Sequence, residues 1–217
     1  MRTVLFIILF GTFLTSCTKE RLTGNGEIVT DTRSISGFTG IHSSGSNRLF
    51  VNHGPEFKVE VKGSSNLVPR YKTIVRNNTL ELGYENRLNI HGDDIQVFVT
   101  LPAIKNVSLS GSGKVRISGN FPATQLFRLS ISGSADVDVM DEFQCNSLST
   151  SISGSGNANL LPILAQDADV TISGSGDVRV SAEQKLKVKI SGSGDVFYSG
   201  SPEVSANISG SGQVRKI

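Results

Sequence analysis

Three carboxylates stand at one recurrent place in this sequence. Asp136, Asp177 and Asp195 each follow a short serine–glycine phrase, as in "TISGSGDVRV" from Thr171. Paired carboxylates can do acid–base work on a glycosidic bond or hold calcium between their oxygens, provided the fold sets them side by side. The phrase recurs at near-constant intervals, so copies lying in register would stack these aspartates along one edge. In other copies, however, the same position holds Lys114, Asn157 and Gln213. Turns exposed to solvent tolerate that variety, and Asp177 directly against Asp195 would be a like-charge contact. The residues therefore read as a solvated corner, with a weak cation site and catalysis as the alternatives. On that reading Asp177→Ala changes stability by less than about 0.5 kcal/mol.

Few other residues carry chemistry. His42, His53 and His91 match no metal-ligand spacing, so no metal, no cofactor and no catalytic residue is expected. Cys145 has no histidine near it in sequence, which favours a small buried apolar side chain over a thiol nucleophile. Cys17 is different. It ends "LTSC" after the charge of Arg2 and an apolar run over residues 4–14, too short for the roughly 20 residues of a membrane-spanning helix. The four residues resemble a bacterial lipobox, which implies a signal peptide at 1–16, an acylated Cys17 and a short tether over 17–25. More than one acyl chain suffices for stable anchoring. The membrane, reached through that anchor, is thus an expected partner, and the location an envelope face, most simply of the outer membrane. With Cys17 lipidated, Cys145 has no disulfide partner.

The elements that must position these residues come from the repeat. Six copies align on the phrase, whose first serine falls at 110, 132, 153, 173, 191 and 209, in steps of 22, 21, 20, 18 and 18 residues. Such a period suits the coil of a β-solenoid and is too short for helix pairs. Around each phrase apolar residues alternate, as with Val170 and Ile172 before it and Val178 and Val180 after it. Alternation of this kind marks strands with one buried face. Each unit is strand, tight turn, strand. The turn glycines, Gly111, Gly113, Gly133, Gly154, Gly156, Gly174, Gly176, Gly192, Gly194, Gly210 and Gly212, are expected to supply positive φ at the corner. One coil cannot bury its apolar face alone, so coils must stack.

Second corners are expected half a period on, at 119–123, 140–143, 160–163, 181–185 and 199–203, from their proline, glycine and charge content. Lys216 falls at an inward position after the sixth phrase and would interrupt the apolar stripe there. Before the repeat, "RLFVNHGPEFKVEV" and "KTIVRNNTLEL" each read as two strands around a turn, and "DDIQVFVTLP" as one more. Residues 26–105 therefore form an irregular β start and 106–217 the regular repeat. The formal net charge of +2 over 217 residues gives no reason to expect nucleic acid.

"GNGEIVTDTRSISGFTGIHSSGS" at 24–46, the irregular β region after it and the serine–glycine phrases to the C-terminus together resemble the bacterial envelope family called auto-transporter adhesin, head GIN domain. The resemblance implies an all-β, right-handed parallel β-helix akin to pectin-lyase-type solenoids, without their catalytic residues. It implies no site residues. The expected function is a non-catalytic cell-envelope lipoprotein, an adhesin or interaction scaffold whose polar face meets a glycan or protein ligand. The alternatives are a carbohydrate-active protein and a structural periplasmic spacer.

Overall fold

In the computed structural model, which describes residues 20–85 and 88–217, the chain winds into a parallel β-solenoid of about five turns. Cys17 and the expected signal peptide lie outside the described residues. Among those described there is no α-helix, only a 3-10 turn at Val68–Arg70.

Two ladders make the walls. The first stacks the strands that end in the phrase: Gly40–Gly45, Asn106–Gly111, Thr124–Gly133, Phe143–Gly154, Ala158–Gly174, Val178–Gly192 and Glu203–Gly210. Their serines and glycines align rung by rung, and Gly45 aligns with Gly111, so "IHSSGS" is the phrase in its earliest form. The second ladder holds the strand segments on the C-terminal side of each corner, with Val97, Leu49, Val115, Val137, Ala158, Val178 and Val196 in line and buried. Alternation sends these side chains inward and their neighbours out, and the two inward stripes close on each other as one aliphatic core.

The irregular half joins the same sheet. Lys58–Ser64 pairs antiparallel with both Ile28–Arg33 and Gln96–Leu101. Lys72–Arg76 and Thr79–Gly83 form a hairpin through Asn77 and Asn78, at φ 48° and 59°, the left-handed pair that a two-residue turn demands. Thr79–Gly83 then lies parallel on Gly40–Gly45. At the far end Lys216 aligns with Tyr198, in the inward row of Val180.

Three expectations need correction. Residues 20–25, read as part of a tether, are docked: Glu20–Thr23 pairs parallel with Leu88–His91, and the Gly24 N–H donates to the His91 carbonyl at 3.0 Å. The corners at 160–163 and 181–185 are not loops, because Ala158–Gly174 and Val178–Gly192 run through them unbroken. Pairing irregularities between Leu160 and Leu164 and between Ala165 and Asp167 make the bend there. A bulge turns a strand without giving up its ladder. Small side chains at Ala165, Ser181 and Ala182 fit inside that bend.

The third correction concerns the glycines. Only the first glycine of each phrase, at 111, 133, 154, 174, 192 and 210, has positive φ, and Gly174 stands at 136°. The second, at 113, 156, 176, 194 and 212, does not. It is glycine for a different reason. A Cβ on Gly176 would fall on the Gly156 carbonyl oxygen of the coil beneath, well inside contact distance.

Candidate interaction face

The wall built by the second ladder is where the carboxylates come together, and they are not free. Asp177 Oδ1 accepts the Asp195 N–H at 2.9 Å, and Asp195 Oδ1 accepts the Gln213 N–H at 2.8 Å. One coil earlier Asn157 Oδ1 takes the Asp177 N–H at 3.0 Å, while the Asn157 amide donates to Asp136 Oδ1 at 3.1 Å. Lys114 completes the row with its ammonium 3.6 Å from Asp136. From Lys114 to Asp195 each side chain after the phrase thus ties its coil to the next, and from Asp136 on the shared feature is an acceptor oxygen, which Asp and Asn both supply.

This changes the expectation for Asp177. A backbone hydrogen bond to a carboxylate on an exposed wall contributes about 1 kcal/mol net. Asp177→Ala should therefore cost about 1 kcal/mol rather than nothing, and Asp177→Asn should cost little, since Asn157 already does the same work. Urea titration of both variants checks this, and equal stability of Ala and Asn would show the bond to be idle.

Two residues further along each strand runs an outward row that sequence reasoning missed: Phe98, Phe50, Arg116, Asp138, Asn159, Arg179, Phe197 and Arg215, in register. Phe50 and Phe98 stack with centroids 4.9 Å apart and planes 10° from parallel. The Arg179 guanidinium lies 5.4 Å from the Phe197 ring centre, a cation–π contact. Two grooves open on this wall. Arg48, Phe50, Lys114, Arg116 and Asp138 line one of about 520 Å³, and Asp136, Asp138, Asn157, Asn159 and Arg179 line one of about 350 Å³. The wall is cationic and aromatic toward its N-terminal rungs and rich in carboxylate and amide oxygens in the middle. The signal was present in the alternation, at the outward position after each inward residue, but only register brings those positions into one row.

The remaining candidates lie outside the outward row. His42 is on the serine-bearing wall, His53 packs edge-on to Phe121 at 5.3 Å, and His91 closes a strand at the N-terminal end. Among the described residues no three histidine, cysteine, aspartate or glutamate side chains form a group that could hold a metal ion. Cys145 is buried, and burial pushes its thiol up to about 11. A polar cluster ties down the N-terminal rungs: Asp93 accepts from the Asn47 amide at 2.8 Å and the Tyr84 hydroxyl at 2.9 Å, and Asp94 accepts from the Ser64 hydroxyl at 2.7 Å. Burial first, and the Asp93 charge second, hold Tyr84 protonated far above the ordinary tyrosine range.

No curated protein matches the chain. Solved structures similar to it include a "putative adhesin" from Bacteroides fragilis, 19% identical with a TM-score of 0.72, over 90% of this chain and 100% of that one. A "putative lipid binding protein" from Parabacteroides distasonis is 23% identical with a TM-score of 0.63, over 91% and 100%. A "putative adhesin" from Parabacteroides merdae is 20% identical, also at 0.63, over 91% and 99%. At these identities the likeness is one of fold. The sequence pattern of the family described as "Putative auto-transporter adhesin, head GIN domain" matches residues 37–202, which takes in the early phrase, most of both ladders and the outward row as far as Phe197, and the chain belongs to that family.

Proposed function

We propose that the chain is a non-catalytic lipoprotein of the cell envelope, anchored through an acylated Cys17, whose solenoid wall serves as an adhesin or interaction scaffold. Membership of an adhesin family supports a surface-interaction role. The observation that carries the non-catalytic part is the carboxylate ladder. Asp177 and Asp195, which a polysaccharide-cleaving site would draw on, already accept backbone N–H groups of the next coil. Such a bond directs the oxygen along the wall to the next coil, away from a proton-transfer role. Beside them the outward row presents aromatic, cationic and amide groups on strands that are hydrogen-bonded on both sides, a rigid surface suited to recognition.

The anchor is tested by Cys17→Ser. The wild-type protein should partition with membranes and yield an N-terminal peptide beginning at a lipid-bearing Cys17, while the variant should be recovered in the aqueous fraction, since a lone apolar segment gives marginal attachment. A free α-amino group on an unmodified Cys17 in the wild type would refute the anchor. Adhesion of intact cells with and without the gene, together with the size of polysaccharides after incubation, tests the rest. Shortened polysaccharide would refute the non-catalytic reading.

A further inference from the structure

We infer that the groove between Arg48, Phe50, Lys114 and Arg116 binds an anionic glycan, seating one uronate-type sugar residue, a reading that rests on the adhesin role and names its ligand class. Lys114 lies one rung from Arg48, and Arg116 one rung from Phe50. The four positions form a patch about 4.8 Å by 6.6 Å, from rung spacing and from two residues of strand rise. That is close to the footprint of one pyranose ring. Three corners are cationic and the fourth is aromatic, and Asp138, one rung beyond Arg116, borders the same groove.

The ring is held for use. Phe98 stacks on Phe50 and is not part of the groove that Phe50 lines. A half-buried ring locked by stacking needs no ordering on binding. The cations are available as well. Among the described residues neither Arg48 nor Arg116 is in an ion pair, and the pairing of Lys114 with Asp136 is solvent-exposed and weak. Arginine forks match a planar carboxylate through two parallel hydrogen bonds. Ser46 and Ser112 line the same groove with hydroxyls suited to sugar oxygens. The volume of about 520 Å³ lies within the ordinary range for small-ligand sites.

The next rungs decide between a glycan and a nucleic acid. Single strands are held by successive aromatic platforms along an unbroken cationic groove. Here the row passes from Arg116 to Asp138 and Asn159, with Asp136 and Asn157 beside them. Those oxygens repel a polyphosphate, yet they accept hydrogen bonds from the hydroxyls of a neutral sugar. The wall therefore fits a glycan in which an acidic residue on the Phe50 patch is followed by a neutral one over the amide and carboxylate oxygens.

The test uses the purified full chain in non-ionic detergent, with binding followed by calorimetry. Hyaluronan oligosaccharides, chondroitin sulfate and oligogalacturonate are the anionic probes, dextran oligosaccharides the neutral one, and oligo(dT) the nucleic acid. At least one anionic glycan should bind, and Arg48→Gln and Arg116→Gln should each weaken it about tenfold, as loss of a charge-assisted hydrogen bond does. Phe50→Ala should weaken it similarly. Because that ring is half-buried, the two arginine variants, which leave the core untouched, keep the result interpretable if Phe50→Ala fails to fold. Arg76→Gln, on the hairpin strand Lys72–Arg76 and outside the outward row, should leave affinity unchanged, and raised salt should weaken binding. Binding to none of the anionic glycans, equal binding of dextran, tighter binding of oligo(dT), or indifference to Arg48→Gln and Arg116→Gln would each overturn the inference. Adherent cells whose protein binds none of these glycans would leave the adhesin role standing and this ligand class refuted. Glycan binding through Arg116 without any adhesion of cells would do the reverse.

Discussion

Replacing Gly174 with alanine should cost about 3 to 4 kcal/mol, Gly176→Ala about 2 kcal/mol and Gly37→Ala about 1 kcal/mol, because the three glycines separate two effects that the phrase otherwise combines. Gly37 has φ 78° with nothing within 4 Å of where a Cβ would sit, so alanine there meets backbone strain alone. Gly176 lacks the positive φ, and its Cβ would meet only the Gly156 carbonyl. Gly174 has both, with φ 136° and a Cβ directed onto the Gly154 carbonyl oxygen. Relief by moving Gly154 is blocked in turn. Gly154 rests in the same way on Gly133, so one coil cannot retreat without pulling the next. Neighbouring coils share their stability in a solenoid, so damage at one interface spreads to the stack. For a domain of this size the Gly174 variant should melt on the order of 10 °C lower. Denaturant titration gives the order directly. If Gly37→Ala proves as costly as Gly174→Ala, backbone conformation alone accounts for the phrase and the close stacking of coils plays no part.

The distinction between the two glycines shows where a single sequence stops being informative. The alternation of Val170, Ile172, Val178 and Val180 is local, and repetition in phase carries it from coil to coil, so strands, inward stripes and the register of Ser173 on Ser191 could all be read in advance. Whether a glycine serves φ or close approach could not be read, because composition is the same in both cases. The Asp177 bond escaped for a related reason. Its partner is the N–H of Asp195, 18 residues away, and exposure in a turn says nothing of which donor lies beneath. Phe50 and Phe98 are harder still. They are joined by parallel pairing of Arg48–His53 with Gln96–Leu101 across the irregular half, where no phrase sets the register. The docking of Glu20–Thr23 on Leu88–His91 has the same cause, since four residues with one partly buried side chain carry too weak a pattern to announce a strand.

Phe143→Ala should destabilise the fold by about 4 kcal/mol, the range for removing a buried aromatic side chain. The corners at 119–123 and 140–143 look like loops in the sequence from their proline, glycine and charges, yet each turns a phenylalanine inward. Phe121 and Phe143 are both buried, with ring centres 5.9 Å apart in an edge-on arrangement. Phe143 also meets Phe127 at 5.5 Å, and Phe121 meets His53, so one aromatic column passes through three consecutive coils at the second corner. Further on, Phe143 aligns with Ile163, and bulged strands with small side chains take over the bend. The column thus fills the wide corner of the longer coils, where steps are 22 and 21 residues, and it is not needed where the period shortens to 18. Phe143→Leu, which restores most of the volume, should cost under about 1.5 kcal/mol. A double-mutant cycle with Phe121→Leu should return a coupling of about 0.5 to 1.5 kcal/mol, the edge-on contribution itself. Denaturation of the four proteins measures both quantities. A cost below about 1 kcal/mol for Phe143→Ala would mean that the corner relaxes around the loss and that the bend is set by its backbone.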